Sequence, residues 1–224
     1  MIARIKRGLI VSCQAEEGSP FCAPEFIVAF AKAAELGGAV GLRLCGVENV
    51  RAVRQVTTLP LIGITKHRYP SGDVLITESE ADAKSLVAAG ADVVALDVTG
   101  RSRPSGESSL VLLARLARSL PIAWMADIAT LTEGLAAAEA GATYVGTTLS
   151  GYTPETRDRQ GEQPDLGLVS ALARVLPGRV IAEGRFWSPE QARMALDLGA
   201  LAVVVGTAIT RPIDITKRFV RALG

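Results

Sequence analysis

One unit recurs four times along this chain, and the recurrence strongly constrains the fold. Each unit has an apolar run, a polar loop, an amphipathic stretch that ends in Gly, and a second apolar run that stops at a polar or charged residue. The closing glycines are Gly38, Gly90, Gly141 and Gly199, which lie 52, 51 and 58 residues apart. This spacing is too long for a small solenoid repeat, and it suits a quarter of a barrel made of two strand–helix pairs.

The apolar runs favour a parallel sheet. They are continuous, as expected of strands covered on both faces, and lie near residues 7–13, 39–44, 60–66, 92–98, 120–126, 142–147, 179–183 and 201–206. Capping boxes at Ser188 to Gln191 and at Thr130 with Glu133 predict helix starts. Further helices are expected near residues 47–54, 107–119, 164–175 and 212–223.

An open doubly wound sheet is the alternative, but no GxGxxG turn follows the first strand. We therefore predict an α/β fold, a single (β/α)8 TIM barrel, with residues 1–224 as one domain.

Composition excludes several classes of function. The chain has 24 Lys and Arg against 23 Asp and Glu, and neither a basic cluster nor an aromatic stacking platform, so no nucleic-acid partner is expected. Charge or Gly interrupts every apolar run before it reaches the roughly 20 residues of a membrane span, which predicts a soluble protein. The basic start resembles a first strand more than a signal peptide. Cys13, Cys22 and Cys45 are unpatterned, which favours free thiols in the cytoplasm.

Polar residues follow strand after strand at the predicted carboxyl ends. Because barrel enzymes gather their active groups at this rim, we expect these side chains to face one crevice. In chain order they are Ser12, Gln14, Arg43, Lys66, Asp97, Asp127, Thr147, Thr148, Glu183, Gly206 and Thr207.

The loops after the last two strands predict a phosphate site. Gly184 and Arg185 follow strand seven, and residues 206–211, from Gly206 to Arg211, follow strand eight. Many barrels bind phosphate at these two loops through backbone N–H groups, and an arginine there adds charged donors. A tight turn is the alternative interpretation of Gly206.

Lys66 and Glu183 suggest proton transfer on two faces of a substrate. Lys66 is expected to end strand three and Glu183 to end strand seven, and these strands are diametrically opposed in a closed eight-stranded barrel. Inversion of a carbon next to a carbonyl needs a base on one face and an acid on the other. Burial, or a cation such as Arg43, would lower the pKa of a catalytic lysine.

Three alternatives stay open at this point. The two side chains can form a cross-barrel ion pair without catalytic duty. Lys66 can instead be a Schiff-base nucleophile of a sugar-phosphate lyase or isomerase, with Glu183 or Asp127 moving protons. A barrel that binds a sugar phosphate without turnover is the third. No metal is predicted, since His67 is the one histidine of the chain, and it either contacts substrate or forms a surface hydrogen bond.

Seven segments together resemble the bacterial N-acetylmannosamine-6-phosphate 2-epimerases over almost the whole chain. They are GLIVSCQA at 8–15, IGITKHRYP at 62–70, ALDVTGRSRPSG at 95–106, MADI at 125–128, GTTLSGYT at 146–153, IAEGR at 181–185 and VGTAITRP at 205–212. The resemblance implies epimerisation between N-acetylmannosamine 6-phosphate and N-acetylglucosamine 6-phosphate, a step of sialic acid catabolism, without a cofactor. It also points to a homodimer.

The resemblance assigns the family's catalytic lysine to Lys66 and its catalytic glutamate to Glu183. It implies that Gln14, Arg43 and Asp127 orient the sugar, with Thr148 and Tyr152 also on the substrate, and that Gly184, Arg185, Gly206, Thr207 and Arg211 hold the phosphate. Asp127 or the loop 147–152 would assist ring opening. Two segments differ from the commoner family pattern, His67 to Tyr69 and Phe186 to Trp187. The charged stretch 153–164 is either a lid or a solvated loop.

Overall fold

Short strands and helices alternate along the parts of the chain that this computed structural model describes, residues 5–16, 18–70, 72, 74–159 and 161–224. The strands are β1 (Gly8–Cys13), β2 (Gly41–Cys45), β3 (Leu61–Ile64), β4 (Lys66–Arg68), β5 (Val74–Ile76), β6 (Val93–Asp97), β7 (Ala123–Asp127), β8 (Tyr144–Gly146), β9 (Val180–Glu183) and β10 (Ala202–Val205). The helices are α1 (Pro24–Leu36), α2 (Val47–Arg54), α3 (Glu80–Ala88), α4 (Ser109–Ser119), α5 (Leu131–Glu139), α6 (Leu166–Val175), α7 (Pro189–Asp197), α8 (Thr207–Thr210) and α9 (Pro212–Leu223), with a 3-10 helix at Pro154–Arg159.

Eight of these strands close into a parallel barrel. Their order around it is β1, β2, β3, β6, β7, β8, β9 and β10, and β10 pairs with β1 to complete the ring. The predicted (β/α)8 barrel is therefore confirmed. In this order β3 and β9 are the third and seventh strands, diametrically opposite each other.

The fourfold sequence repeat corresponds to one repeated way of ending a helix. After α3, the N–H of Gly90 donates to Val87 O and the N–H of Ala91 donates to Leu86 O. Gly90 has a φ of +102°, which an L side chain rarely adopts. Gly38, Gly141 and Gly199 end α1, α5 and α7 with the same pair of bonds and a positive φ. Each such end turns the chain sharply into the next barrel strand.

Residues of the barrel strands alternate between two apolar layers. In β6, Val93 and Ala95 belong to a cluster drawn from strands all around the barrel interior. Val94 and Leu96 belong instead to the cluster between the barrel and its helices. Both faces of the strands are thus apolar, which explains the continuous runs in the sequence.

The structure differs from the sequence prediction at the third barrel strand. β3 ends at Ile64, and Lys66 starts a separate two-stranded antiparallel hairpin of β4 and β5. The prediction that Lys66 ends strand three was therefore wrong by two residues. Thr65 makes the break, since its N–H donates to Thr77 Oγ1 and its carbonyl accepts from the N–H of Thr77.

Helix α9 has the bounds expected from the sequence, yet none of its residues is buried. Phe219 is 67% exposed and Leu223 is 87% exposed, although both belong to apolar positions of an amphipathic helix. Within the described ranges, we find no helix with the length and apolarity required to cross a membrane.

Candidate active site

The carboxyl ends of the barrel strands surround a cavity of about 640 Å³. Among the described residues, its acidic side chains are those of Glu16 and Glu183. Cations outnumber them: the basic side chains of the lining are Arg43, Lys66, Arg68, Arg101, Arg185 and Arg211. This excess of positive charge favours an anionic ligand.

Eleven of the twelve site residues expected from the sequence line this cavity. They are Gln14, Arg43, Lys66, Thr148, Tyr152, Glu183, Gly184, Arg185, Gly206, Thr207 and Arg211. Asp127 is the exception, because it is fully buried and its carboxylate binds Arg43. In this structure Asp127 holds side chains that line the cavity rather than lining it itself.

Arg43 is the centre of a buried network of charges. Its side chain extends from β2 and is 1% exposed. Nη1 and Nη2 donate to the two carboxylate oxygens of Asp127 at 3.1 and 2.6 Å, and Nη1 also lies 3.0 Å from Oε2 of Glu183. Thr148 Oγ1 donates to Asp127 at 2.5 Å and lies 3.4 Å from Oε2 of Glu183. One guanidinium and one hydroxyl therefore connect two carboxyl groups.

Glu183 stands at the carboxyl end of β9 with little solvent around its carboxyl group. Burial raises the pKa of Glu183 to about 7, and the charge of Asp127 acts in the same direction against the opposing effects of Arg43 and Lys66. Both the protonated and the ionised forms are therefore available near neutral pH, which suits a group that gives and takes a proton.

Lys66 enters the cavity from the opposite side of the barrel. Its Nζ donates to Oε1 of Gln14 at 2.8 Å, and Gln14 in turn donates to Oγ of Ser12 at 2.7 Å. Lys66 is an exposed residue, and its side chain lines the cavity. Desolvation by the surrounding protein lowers the pKa of Lys66, and the positive charges of Arg211 and Arg43 lower it further.

The hairpin that carries Lys66 has one face toward the cavity. Lys66 pairs with Ile76 and Arg68 pairs with Val74, and all four side chains line the cavity. Directly paired residues of an antiparallel ladder share a face, so this face combines two cations with two apolar side chains.

His67 lies on the other face of the hairpin. Its Nε2 is 3.2 Å from Oδ1 of Asp82 and its Nδ1 is 3.8 Å from Oε1 of Glu78. Of the two sequence interpretations of this histidine, the structure agrees with the ordinary hydrogen bond. The three side chains could geometrically surround a cation, but the two ring nitrogens face different carboxylates.

The loop after β10 approaches the backbone of β1 closely. A Cβ on Gly206 would lie 3.1 Å from Ser12 Cβ, and Thr210 Oγ1 donates to Ser12 O at 2.7 Å. The first bond within α8 runs from Ile209 N–H to Gly206 O, so the N–H groups of Thr207 and the next residue precede it. Arg211 lies at the end of this loop, with Nη1 2.7 Å from Oε1 of Glu16.

Arg185 fixes the loop that follows β8. It donates to Gln163 O and to Ser150 O, both at 2.7 Å, and stacks over the Tyr152 ring with its guanidinium carbon 5.4 Å from the centroid. Arg185 itself has a φ of +60°, in the left-handed region. Within segment 153–164, Thr153 and Thr156 are buried and bond to each other at 2.9 Å, so this part of the segment is folded against the rim.

Arg101 and Arg68 are cavity residues that the sequence interpretation missed. Arg101 lies four residues beyond Asp97, and nothing in the loop sequence indicates which way its side chain points. Asp97, expected at the rim, does not line the cavity and instead binds Arg101 and the N–H of Thr99. The basic pattern RSR at 101–103 is the one available signal.

A closed parallel barrel with a cationic cavity at the carboxyl ends of its strands defines a (β/α)8-barrel enzyme for an anionic substrate. The family model described as "Putative N-acetylmannosamine-6-phosphate epimerase" matches residues 27–224. The chain therefore belongs to the N-acetylmannosamine-6-phosphate epimerase family.

Curated relatives and solved structures agree with this family. The relative from Caldanaerobacter subterraneus, named "Putative N-acetylmannosamine-6-phosphate 2-epimerase", is 45% identical over 98% of this chain and 92% of its own length. The relative of the same name from Cutibacterium acnes is 48% identical over 100% of this chain and 96% of its own. The structure of N-acetylmannosamine-6-phosphate 2-epimerase from Clostridium perfringens has a TM-score of 0.90 at 40% identity, covering 97% of this chain and 94% of that one.

A more distant structure shares the fold alone. Thiamine phosphate pyrophosphorylase from Pyrococcus furiosus has a TM-score of 0.60 at 18% identity, over 96% of this chain and 92% of that one.

Proposed function

We propose that this chain interconverts N-acetylmannosamine 6-phosphate and N-acetylglucosamine 6-phosphate by inverting C2 of the open-chain sugar. One observation carries the proposal: Lys66, on the hairpin that follows β3, and Glu183, at the end of the opposite strand β9, line the same cavity. The relatives that match nearly the whole chain are named for this reaction. If Lys66 and Glu183 opened into separate cavities, they could not act on two faces of one substrate.

The two groups divide the proton transfer between them. Neutral Lys66 removes the C2 hydrogen as a proton, and the electron pair of the C–H bond moves into an enolate with the C1 carbonyl. Protonated Glu183 then delivers its proton to C2 from the other face. Lys66 ends as an ammonium and Glu183 as a carboxylate, which are the forms needed for the reverse reaction. Arg43 places positive charge beside the developing enolate.

Ring opening falls to Thr148 rather than to Asp127. The hydroxyl of Thr148 lines the cavity, whereas Asp127 is fully buried. Thr148 takes up the O1 proton as its own proton passes to Asp127, and the protons return along the same bond so that O5 is protonated as the C1–O5 bond breaks. Asp127 also positions Arg43. Gln14, through its bond to Lys66, orients the amine and reaches the sugar beside it.

The phosphate is bound at the loops after β9 and β10. Gly206 and Thr207 offer N–H groups and Arg211 offers a guanidinium that is only partly exposed. Gly184 allows close approach on the other side, and Arg185 adds charge while holding Tyr152 against the site. A phosphate at these loops sets the sugar between Lys66 and Glu183.

The proposal extends to the assembly. Residues 1–224 act as one domain in the cytoplasm, where Cys13, Cys22 and Cys45 stay reduced, and the chain forms a homodimer. Exposed Phe219 and Leu223 on α9 supply apolar surface for a partner copy. Catalysis needs neither a cofactor nor a metal ion.

Proton NMR of N-acetylmannosamine 6-phosphate with enzyme, chelator and D₂O tests the reaction directly. We expect the product to appear with deuterium at C2. Lys66→Ala and Glu183→Gln should each abolish conversion, whereas Lys84→Ala and Glu190→Gln, on exposed helix positions, keep it. Binding without exchange at C2 would show a barrel that holds the sugar without turnover. Loss of activity with chelator would remove the metal-free mechanism.

The alternative function is that of a Schiff-base lyase or isomerase. The lowered pKa of Lys66 is compatible with it, because a neutral amine in a cavity also attacks carbonyl groups. Borohydride reduction in the presence of substrate would then leave a covalent adduct on Lys66, visible by intact mass. We expect no adduct, since Glu183 on the opposite side gives the site the two-faced arrangement that epimerisation requires.

A further inference from the structure

Arg101 is a cavity residue that the proposed reaction does not use. It follows β6, and its side chain is 12% exposed. Its Nη2 binds the carboxylate of Asp97, which is itself 2% exposed, and its Nε donates to Thr99 Oγ1 at 3.2 Å. Thr99 Oγ1 donates in turn to Oδ1 of Asp97 at 2.6 Å. Two of the three guanidinium nitrogens are thus fixed on buried groups.

The third nitrogen of Arg101 has no acceptor within the described ranges. Asp97 and Thr99 take Nη2 and Nε, and no described residue accepts from Nη1. Because Arg101 lines the cavity, this oriented donor is available to a ligand there. A planar guanidinium held on two sides presents its remaining N–H groups in a fixed direction.

The position of Arg101 in the barrel is opposite the phosphate loops. β6 is the fourth barrel strand and β10 the eighth. A sugar anchored by its C6 phosphate after β9 and β10, with C2 between Lys66 and Glu183, directs its C1 and C2 substituents away from the phosphate. The C2 substituent of an N-acyl sugar therefore lies on the side of β6.

Apolar side chains on the neighbouring strand β5 line the same cavity as Arg101. Arg103 ties the two elements together, because its guanidinium donates to the carbonyls of Asp97, at the end of β6, and of Glu78, just after β5. Strand β5 packs against β6, and its Val74 and Ile76 line the cavity. Ile76 and Leu149 also belong to one apolar cluster.

We propose that Arg101, with the apolar face of Val74, Ile76 and Leu149, forms the subsite for the N-acyl group and makes Arg101 a specificity-determining residue. The free Nη1 donates to the amide carbonyl oxygen, and the acyl methyl group packs on the apolar face. The inference rests on the proposed function for the placement of the sugar. It adds the residue that selects N-acylated hexosamine phosphates over free hexosamine phosphates.

The chemistry of the two ligand classes explains the discrimination. An amide carbonyl accepts a hydrogen bond from a cationic donor, which is stronger than a neutral one. A free amino sugar carries an ammonium at neutral pH, so the same guanidinium repels it. A 2-hydroxyl sugar phosphate has neither feature and reports on the phosphate and the sugar chain alone.

Calorimetry in a Lys66→Ala background, which removes turnover, measures this preference. The probes are N-acetylglucosamine 6-phosphate, mannose 6-phosphate and glucosamine 6-phosphate. Adding Arg101→Ala should weaken the acyl ligand about 10- to 100-fold, as expected for a lost hydrogen bond from a charged donor. The dissociation constant of mannose 6-phosphate should change less than about threefold, and glucosamine 6-phosphate should bind more tightly.

Arg68→Ala is the matched control, because Arg68 is also a cationic arginine of the lining. Arg68→Ala should change the dissociation constants of N-acetylglucosamine 6-phosphate and mannose 6-phosphate by the same factor. Arg101→Lys keeps a charge for Asp97 and covers the case in which Arg101→Ala fails to fold; it should show a smaller loss of the same selectivity. Equal loss for acyl and hydroxyl ligands, or no loss, overturns the proposal. Absence of turnover in the wild type would overturn the proposed function. The dissociation constants of the three ligands would still show whether Arg101 selects the acyl group.

Discussion

Arg43 and Glu183 are joined across the barrel interior, with Nη1 of the arginine 3.0 Å from Oε2 of the glutamate. The same guanidinium is held by Asp127 on its other side. The carboxyl group proposed to move a proton is therefore fixed in direction by a cation that cannot itself rotate away. Orientation comes from Asp127, and the raised pKa of Glu183 comes first from burial.

Asp127→Ala should destabilise the fold strongly. It leaves the 1% exposed guanidinium of Arg43 with Glu183 as its remaining carboxylate neighbour among the described residues. Breaking a buried ion pair from one side costs about 3–5 kcal/mol, and the remaining partner puts the expected loss near the lower end. Urea unfolding gives the value. Asp197→Ala, which breaks an exposed pair with Arg193, is the control and should leave the unfolding free energy almost unchanged. Equal losses in the two variants would contradict the role of the network.

The stability of the protein should fall as pH rises through the titration of Glu183. Burial raises the pKa of this group from 4.5 to about 7 in the folded state, so the folded protein binds the extra proton between these values. Its contribution is full below about pH 4.5 and is lost as pH rises through 7. Relative to Glu183→Gln, the wild type should lose about 1–3 kcal/mol of unfolding free energy over this window.

Urea titrations of both proteins at several pH values between 5 and 8 measure that difference. Glu190→Gln is the control, because the hydrogen bond to Ser188 lowers the pKa of Glu190 from 4.5, so this group titrates below the range measured and its difference from the wild type should stay constant. A constant difference between wild type and Glu183→Gln across the range would rule out the raised pKa.

The barrel was predictable from the sequence because its strands are buried on both faces and its helix ends repeat. The hairpin β4–β5 was not. Residues 60–66 form one apolar run that ends in a lysine, and β5 has only three residues, too few to show a period. The break at Thr65 depends on its hydrogen bonds to Thr77, a residue 12 positions further along the chain.

The position of Lys66 and Glu183 in one cavity was predictable for a different reason. All strands of a parallel barrel end at the same rim, so residues that end or closely follow these strands lie near one another. Position at the rim does not say whether a side chain reaches the cavity. Asp127 stays behind Arg43, and Arg101 reaches the cavity only because Asp97 and Thr99 fix it there. Such contacts depend on side-chain direction, which the sequence pattern does not contain.

Gly141→Ala should destabilise the protein through both backbone and packing. Gly141 has a φ of +108°, and a Cβ built on it would lie 2.9 Å from Ala117 Cβ. An L residue in the left-handed region costs about 1–2 kcal/mol, and the close approach adds to this. Gly161→Ala is the control, because nothing lies within 4 Å of its Cβ position and its φ is not in that region. It should change the unfolding free energy by less than about 1 kcal/mol, with stabilisation as the expected direction.

Arg211→Met should change both substrate binding and the pH dependence of the reaction. The positive charge of Arg211 lowers the pKa of Lys66, after the larger effect of desolvation. Without it the pKa of Lys66 rises, so at a given pH less of the amine is neutral and able to remove the C2 proton. The limb of the kcat/KM profile that reports Lys66, with N-acetylmannosamine 6-phosphate as substrate, should therefore move to higher pH, and KM should rise with the loss of a phosphate donor. Lys217→Met, on the exposed side of α9, tests for a general effect of charge and should leave the limb in place. A higher KM with an unshifted limb would mean that Arg211 binds phosphate without tuning Lys66.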